Sequence, residues 1–228
     1  MSLTQEILSQ LPGDVLKGLR RADNILTSLK SGNTPVPMVV KENQQLLGNV
    51  DWDVIISGGT LGILIGCALV SRGLKVALIE RGILRGREQE WNISRNELQV
   101  LLELNLLTSE ELEQAIATEY NPARVGFTSG TEVWVENVLN IGVYPVYLLE
   151  TLKQRFLERG GKLFENTPFS EAVVHPDGVM VNNNFKSRLL IDAMGNFSPI
   201  TQQIRQGVKP DALCMVVGTC ASGFPENH

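Results

Sequence analysis

The sequence is poor in residues that bind metals or form disulfides. Of its 228 residues, three are cysteine and two are histidine. Cys67, Cys214 and Cys220 form no C-x-x-C pair, which favours reduced, intracellular thiols over a disulfide framework. His175 and His228 are isolated from one another and from the cysteines, so we expect no metal site. Cys67 lies in an apolar stretch and is expected to be a small buried residue.

Positive charge is also scarce. Twenty basic residues stand against 25 acidic ones, which gives a net charge of −5. There is no basic stripe with interleaved aromatic residues, so we expect no nucleic-acid partner. The N-terminus carries Glu6 and Asp14 and lacks a continuous apolar core, which argues against a signal or transit peptide. We therefore expect a cytoplasmic protein with one large domain or two small ones.

Residues 51–81, DWDVIISGGTLGILIGCALVSRGLKVALIER, carry the most informative pattern in the chain. The β-branched run Val54–Ile56 predicts a buried strand, and Val76–Ile79 predicts a second one. Between them lie a glycine cluster and an apolar helix that ends at Gly73. Glu80 follows the second strand. Strand, glycine turn, helix, strand and acidic residue together predict a mononucleotide-binding βαβ unit.

The predicted cofactor site consists of the glycine turn and this acidic residue. Free N–H groups at the helix N-terminus attract a pyrophosphate, and Gly59 has no Cβ to obstruct its approach. Glu80 follows Gly59 by 21 residues, the spacing at which a carboxylate accepts hydrogen bonds from a ribose diol and repels a 2′-phosphate. We therefore expect FAD or NAD rather than NADP. The predicted cofactor-binding turn comprises Ser57, Gly58, Gly59, Thr60, Leu61 and Gly62.

Two features of this stretch leave alternatives open. Ser57 stands where G-x-G-x-x-G has its first glycine, so either Ser57 makes the turn with negative φ or Gly58 takes the strained position. Val54 to Ser71 contains no charged residue, so a membrane span is the rival interpretation. Its glycines and the charged flanks Asp53 and Arg72 favour a βα unit.

Before this unit, residues 1–30 predict amphipathic helices interrupted at Pro12-Gly13. The apolar stripe of these helices could dock on the chain's own domain, on a partner or on a lipid surface. We favour docking on the chain's own domain. Residues 31–50 are expected to be a connecting arm. After the βαβ unit, residues 85–143 are too long for a simple crossover and predict an insertion. The insertion contains two capping boxes and two strands around a turn, at Ser94/Glu97, Thr108/Glu111 and Ser129-Gly130.

The rest of the chain alternates again between helix and strand. Pro145 to Gly160 predicts an amphipathic helix, and Lys162–Glu165 follows in the place of a third parallel strand. Turn residues at 176–178 and 182–184 divide a β-meander. The last strand of the meander is expected at Ser187–Ala193. A helix is expected from Ser198-Pro199 onward, and a final apolar strand at Leu213–Val217.

The βαβ unit, the meander and the D-A-x-G-x-x-S string at Asp192–Ser198 resemble the FAD-containing monooxygenase and reductase superfamily. A narrower resemblance rests on GREQEWNISR at Gly86–Arg95, on Trp134–Glu136 and on IDAMGNFSP at Ile191–Pro199. These strings are similar to the CruA/CruP lycopene cyclase family, and closest to its CruP-type paralogs of cyanobacteria and plants. The implied fold class is α/β, with a Rossmann-like FAD-binding domain at 51–228 and part of an inserted α+β substrate domain.

The resemblance implies non-covalent FAD, with Gly59, Thr60 and Gly62 around the pyrophosphate and Glu80 on the adenosine ribose. It also places Arg81 near the adenine and Arg87 near the cofactor phosphates. It implies a carotenoid or other polyene substrate, NAD(P)H as a candidate electron donor, and peripheral contact with the photosynthetic thylakoid membrane. The implied reaction is end-ring cyclisation of the polyene, or reduction of carotenoid epoxides.

Other residues have two interpretations, and no catalytic residue is nominated. Glu88 or Glu90 lies near the active site, or belongs to a solvated charge run with Arg85 and Arg87. Trp91 and Trp134 line a pocket or fill a core. Asp192 is expected to orient the Gly195 turn. These candidates are Arg85, Arg87, Glu88, Glu90, Trp91, Trp134 and Asp192.

The family's members are about twice as long, so the resemblance also implies that their C-terminal half is missing here. We expect an N-terminal half, as a fragment or a truncated gene product. A non-catalytic remnant or interaction module is therefore the alternative to a working flavoenzyme. An NAD-binding dehydrogenase domain is a third interpretation.

Overall fold

The computed structural model describes residues 2–11, 13–31, 35–208 and 211–212. The chain divides into two compact units. The terminal unit joins Met1–Met38 with Pro199–His228, and the sheet unit comprises Val39–Ser198. The predicted strand at Leu213–Val217, together with Cys214, Cys220 and His228, lies outside the described residues.

The terminal unit contains helices α1 (Leu3–Ser9), α2 (Val15–Ser31) and α7 (Pro199–Arg205). This confirms the helices predicted in residues 1–30 and from Ser198-Pro199 onward. None of the unit's described residues is buried. The expectation that the N-terminal apolar stripe docks on the chain's own domain stays a prediction.

The sheet unit contains the remaining elements, numbered in chain order. Its helices are α3 (Gly59–Val70), α4 (Arg95–Glu103), α5 (Ser109–Ala115) and α6 (Pro145–Glu158), with a short 3-10 turn at Gly195–Phe197. Its strands are β1 (Val40–Glu42), β2 (Trp52–Ser57), β3 (Val76–Ile79), β4 (Trp91–Ile93), β5 (Ile116–Glu119), β6 (Ala123–Val125), β7 (Val133–Val135), β8 (Ile141–Val143), β9 (Lys162–Phe164), β10 (Ala172–His175), β11 (Gly178–Val181) and β12 (Phe185–Asp192).

Seven strands of the described chain form one sheet in the order β1-β10-β11-β12-β2-β3-β9. Strands β12, β2, β3 and β9 are parallel, and β10, β11 and β12 form an antiparallel meander. The predicted third parallel strand and the β-meander are confirmed. The segment predicted as a connecting arm is not only an arm, because β1 pairs with β10 along the outer edge of the sheet.

Both faces of this sheet are covered, which explains why its central strands read as continuous apolar runs. Residues 54–57 and 76–79 are buried throughout. Helices α3 and α6 pack on one face. On the other face Phe164 makes edge-on contacts with Trp52 and Phe185, at ring-centroid distances of 6.2 and 5.0 Å. Such contacts stabilise the meander side of the sheet.

The insertion between β3 and α6 contains the predicted capping boxes and the predicted hairpin, and also a small sheet that was not predicted. Both capping boxes form, at the N-termini of α4 and α5. Strands β4, β8 and β5 make a small antiparallel sheet, and β6 pairs with β7 as a hairpin. Helix α5 ends at Ala115, because Ile116–Glu119 pairs with β8 instead of continuing the helix.

The membrane-span interpretation of Val54 to Ser71 is wrong. Its first four residues belong to the buried strand β2, and the 12 residues of α3 follow after one turn residue. Across the described ranges, no helix is both long enough and apolar enough to cross a bilayer.

Candidate nucleotide-binding site

The carboxyl ends of the parallel strands meet at one edge of the sheet. Asp192 of β12 lies beside Ser57 of β2, which lies beside Ile79 of β3, which lies beside Phe164 of β9. The loops that follow these strands therefore share one rim. In open α/β sheets, ligands bind at this rim. The glycine turn, Glu80 and the D-A-x-G string, far apart in sequence, are brought together here.

The turn after β2 shows which residue takes the strained position in the absence of the first glycine. Gly58 has φ +103°, a conformation that L side chains rarely adopt, whereas Ser57 remains the buried last residue of β2. A Cβ at Gly58 would lie 2.5 Å from the Ala193 carbonyl oxygen and 2.9 Å from the Met194 nitrogen. Gly58 therefore takes the strained position, and the backbone after β12 packs directly against it.

Helix α3 begins at this turn and presents its N-terminus to the rim. Its N-cap residue is Gly58, which has no side chain to bond the first-turn N–H groups. Thr60 and Leu61 in that turn are exposed. The first-turn N–H groups that follow Gly59, together with the positive end of the helix dipole, favour an anion at this position. The binding of a pyrophosphate here stays a prediction.

Glu80 reaches back to the start of α3. Its Oε2 accepts a hydrogen bond from the Gly59 N–H at 2.7 Å, and its Oε1 accepts one from the Gly82 N–H at 3.1 Å. The carboxylate is half-buried. Each oxygen retains a second lone pair, so the group can still accept hydrogen bonds from a ribose diol. Gly59 and Glu80, 21 residues apart in the sequence, are therefore in direct contact in the structure.

The structure gives Gly59 a reason to be glycine in addition to the expected one. A Cβ there would lie 2.8 Å from Leu84 Cδ1 and 3.2 Å from Glu80 Oε2. The space beside Gly59 is therefore occupied by the chain's own side chains, and the absent Cβ lets Glu80 approach the helix. The role predicted for this position, close approach of the pyrophosphate, stays a prediction.

The helix presses closely onto the sheet at two glycines. A Cβ at Gly62 would lie 2.7 Å from Ile56 Cγ2 in β2. One turn later, a Cβ at Gly66 would lie 3.1 Å from the ring of Phe156 in α6. These approaches fix the position of the α3 N-terminus relative to the strand ends.

The loop that carries Glu80 is held by hydrogen bonds to residues of β9 and of the loop after β9, which in turn bonds to α6. These residues were not predicted as part of the site. The Glu80 N–H donates to Phe164 O at 2.9 Å, and Thr167 N–H donates to Glu80 O at 2.8 Å. Glu165 Oε1 accepts hydrogen bonds from the Leu84 N–H at 2.9 Å and from Lys153 Nζ at 2.8 Å. The hydrogen bond from Lys153 lowers the pKa of the Glu165 carboxyl below its usual value. Glu165 could have been identified from the sequence, because it is a carboxylate directly after the third parallel strand.

The charged residues after Glu80 fall on the surface. Arg81, Arg87, Glu88 and Glu90 are all exposed. Arg85 and Glu88 form an exposed ion pair at 3.3 Å, which supports the interpretation of these two residues as a solvated pair. The assignment of Arg81 to the adenine and of Arg87 to the phosphates stays a prediction.

Asp192 holds the loop after β12, as expected. Its Oδ1 accepts a hydrogen bond from the Met194 N–H at 3.0 Å, and its Oδ2 accepts one from the Ser198 hydroxyl. Gly195 between them has φ +75°, so the turn depends on glycine. This arrangement confirms that Asp192 orients the Gly195 turn.

The two tryptophans of the insertion differ. Trp91 in β4 packs against the main core cluster, which supports its interpretation as a core residue. Trp134 in β7 is 61% exposed, so it fills no core.

Cys67 is fully buried, as predicted, and its thiol contacts Leu152 O at 3.0 Å. Burial raises the pKa of Cys67 to about 11.

Within the described part of the chain, no three His, Cys, Asp or Glu side chains are grouped as metal ligands. His175 instead pairs through Nδ1 with Gln45 O at 2.8 Å, in the loop that follows β1.

No protein-family model matches the chain, and no match was found among curated proteins. Solved structures do match it. OxyS, the anhydrotetracycline hydroxylase from Streptomyces rimosus, matches with a TM-score of 0.53 and 19% identity over 67% of this chain and 33% of its own. A 2-methyl-3-hydroxypyridine-5-carboxylic acid oxygenase matches with a TM-score of 0.53 and 21% identity, over 67% of this chain and 42% of its own.

The Diels-Alderase PyrE3 matches with a TM-score of 0.53 and 18% identity over 66% of this chain and 34% of its own. A variant of the halogenase PltM in complex with FAD matches with a TM-score of 0.50 and 18% identity over 67% of this chain and 36% of its own. The likeness shows the fold. The sheet unit is a Rossmann-like α/β domain, and the matched part is about a third of the length of most of these proteins.

Proposed function

We propose that this chain is the nucleotide-binding part of a flavoprotein and that it binds FAD. The observation that carries the proposal is the 2.7 Å hydrogen bond between Gly59 N–H and the Glu80 carboxylate. It brings the N-terminus of α3, whose remaining first-turn N–H groups are suited to a pyrophosphate, within reach of a carboxylate suited to a ribose diol. The structural neighbour in complex with FAD supports FAD among the adenine dinucleotides.

In this proposal the chain's residues hold the adenosine diphosphate half of the cofactor. The first-turn N–H groups of α3 bind the pyrophosphate, and Glu80 accepts hydrogen bonds from the ribose. Asp192 fixes the Ala193–Gly195 backbone against Gly58, and Glu165 fixes the Leu84 loop. When bound, FAD supplies an isoalloxazine ring that accepts and returns electrons.

The test is titration of purified protein with FAD, followed by flavin fluorescence and calorimetry. We expect Glu80→Gln to weaken FAD binding about 10- to 100-fold, because a hydrogen bond to a charged acceptor is lost while the shape is kept. Glu158→Gln is the matched control, since Glu158 is an exposed carboxylate at the end of α6.

Other outcomes separate the alternatives. Tighter binding of NAD than of FAD would favour a nicotinamide-dependent dehydrogenase domain. A soluble, folded protein that binds neither cofactor would overturn the proposal and favour a non-catalytic interaction module. NADP should bind worse than NAD, because Glu80 repels a 2′-phosphate.

A finer proposal concerns the substrate. The strings at Gly86–Arg95, Trp134–Glu136 and Ile191–Pro199, similar to the CruA/CruP lycopene cyclase family, support a carotenoid or other polyene. The reaction would be end-ring cyclisation or epoxide reduction, with NAD(P)H as electron donor for the flavin. The exposed Trp134 is suited to an extended apolar ligand.

This finer proposal is tested by purifying the tagged chain from bacteria that accumulate lycopene. We expect carotenoid absorbance to elute with the protein and to fall when Trp134 is replaced by Ser. Elution of the protein without pigment would overturn the polyene assignment, while the FAD titration would stand on its own measurement.

A further inference from the structure

The carboxylate proposed to hold the ribose lies in a segment without helix or strand, between β3 and β4. Its two oxygens accept hydrogen bonds from the N–H groups of Gly59 and Gly82. A binding group on a loop is held precisely only where packing and hydrogen bonds of neighbouring residues support it. The position of the Glu80 carboxylate therefore depends on what holds the loop around it.

Leu84 packs this loop against the start of α3. Its side chain is buried, and its Cδ1 lies 2.8 Å from the point where a Cβ at Gly59 would be. Glu80 Oε2 lies 3.2 Å from the same point. Leu84 and the Glu80 carboxylate therefore share the space that the absent Cβ leaves. Movement of Leu84 would remove the neighbour that confines the carboxylate on that side.

Leu84 is held in turn by two residues from other elements. The Leu84 N–H and Lys153 Nζ both donate to Glu165 Oε1, at 2.9 and 2.8 Å. Glu165 directly follows β9 and Lys153 lies in α6, so the loop is fastened to a strand and to a helix of the sheet unit. Among the described hydrogen bonds, none joins either side chain directly to the glycine turn or to the Glu80 carboxylate.

We infer that Glu165 and Lys153 are positioning residues for ribose recognition. They hold Leu84, and Leu84 confines the Glu80 carboxylate at the start of α3. The inference rests on the proposed function and assigns to both residues an effect on nucleotide affinity, although neither contacts the nucleotide. A binding group must be held within about 0.5 Å of its productive position, so release of the loop weakens binding.

The experiment is calorimetric titration of the full chain and its variants with ADP, well below the melting temperature. We expect Glu165→Ala to weaken ADP binding about tenfold, because the Leu84 N–H loses its acceptor and the loop is released. Glu165→Gln retains an acceptor oxygen and should weaken binding only about threefold. Lys153→Met leaves the bond between Leu84 and Glu165 and should also cost about threefold, which provides a test if Glu165→Ala does not fold.

A double-mutant cycle separates positioning from general destabilisation. If Glu165 acts through Glu80, Glu165→Ala should weaken ADP binding less than about twofold in the Glu80→Gln background. A general loss of structure would act equally in both backgrounds. Glu171→Ala is the matched control, because Glu171 pairs with Lys41 at 3.0 Å beside β1 and β10, at the opposite side of the sheet from β9. It should leave ADP binding unchanged.

The outcomes distinguish this inference from the proposed function. Failure of the unaltered chain to bind ADP would overturn both. ADP binding that is weakened by Glu80→Gln but unchanged by Glu165→Ala and Lys153→Met would overturn the inference alone. A full tenfold loss from Glu165→Ala in the Glu80→Gln background would also overturn it, because Glu165 would then act by a route other than the ribose carboxylate.

Discussion

At the turn after β2, Gly58 has two separate reasons to be glycine. Its φ of +103° is costly for any residue with a Cβ, and a Cβ would also strike the Ala193 carbonyl. Gly73, after the other end of α3, has only the first reason: its φ is +82°, and a Cβ there would meet no described atom within 4 Å. The two positions therefore separate backbone strain from steric conflict.

We expect Gly73→Ala to lower the free energy of unfolding by about 1 kcal/mol, from strain alone. Gly58→Ala should cost about 3 kcal/mol, because the clash with Ala193 adds to the same strain. Urea denaturation followed by circular dichroism measures both. Equal losses in the two variants would show that the backbone after β12 does not press on Gly58.

Among the elements, the loop after β3 depends on a connection between β9 and α6. Glu165, at the end of β9, accepts hydrogen bonds from the Leu84 N–H and from Lys153 of α6. Lys153 and Glu165 are mostly buried, with side-chain exposures of 19% and 25%. The pair therefore contributes more than an exposed ion pair such as Arg85 with Glu88.

Glu165→Gln should lower the free energy of unfolding by about 1 to 2 kcal/mol at neutral pH, because a charge-assisted hydrogen bond is lost. The hydrogen bond from Lys153 holds the pKa of Glu165 below its ordinary 4.5. A lowered pKa in the folded state means stability that is complete above the ordinary pKa and is lost as the pH falls through the lower folded one.

The difference between Glu165→Gln and the unaltered chain should therefore shrink as the pH falls below about 4.5. Denaturant unfolding at a series of pH values measures it. Glu88→Gln, in the exposed pair with Arg85, is the control and should leave unfolding unchanged. A difference that is constant with pH would contradict the role assigned to the Glu165 carboxylate.

For the whole molecule, ligand binding to the rim of the sheet should stabilise the sheet unit as one body. At a free concentration about 100-fold above its dissociation constant, a ligand that binds only the folded state adds about 2.7 kcal/mol. For a unit of this size, that corresponds to a rise in the melting temperature of about 5 to 10 °C.

We expect FAD and ADP to raise the melting temperature, because both contain the diphosphate and ribose that the Gly58–Gly62 turn and Glu80 recognise. FMN, which lacks the adenosine half, should have little effect at the same concentration. Differential scanning fluorimetry with the three ligands measures this. Stabilisation by FMN but not by ADP would show that the site at α3 is not the adenosine diphosphate site.

Much of this arrangement could be predicted because the signals are local. The apolar run Val54–Ile56, the capping residues Ser94 and Thr108 and the helix start at Pro145 act through the chain nearest to them. The length of α5 and the strand at Val40–Glu42 could not be predicted in this way. Both depend on pairing with partners distant in sequence, β8 and β10.

The sequence by itself determined the order of strands and helices around the glycine turn and the interval from Gly59 to Glu80, because periodicity and turn chemistry are properties of neighbouring residues. Only the tertiary structure decided that Gly58 takes the strained position and that Gly59 makes room for Glu80. It alone joined Lys153, Glu165 and Leu84. These outcomes follow from which side chains and backbone atoms meet at the rim when parallel strands are placed side by side.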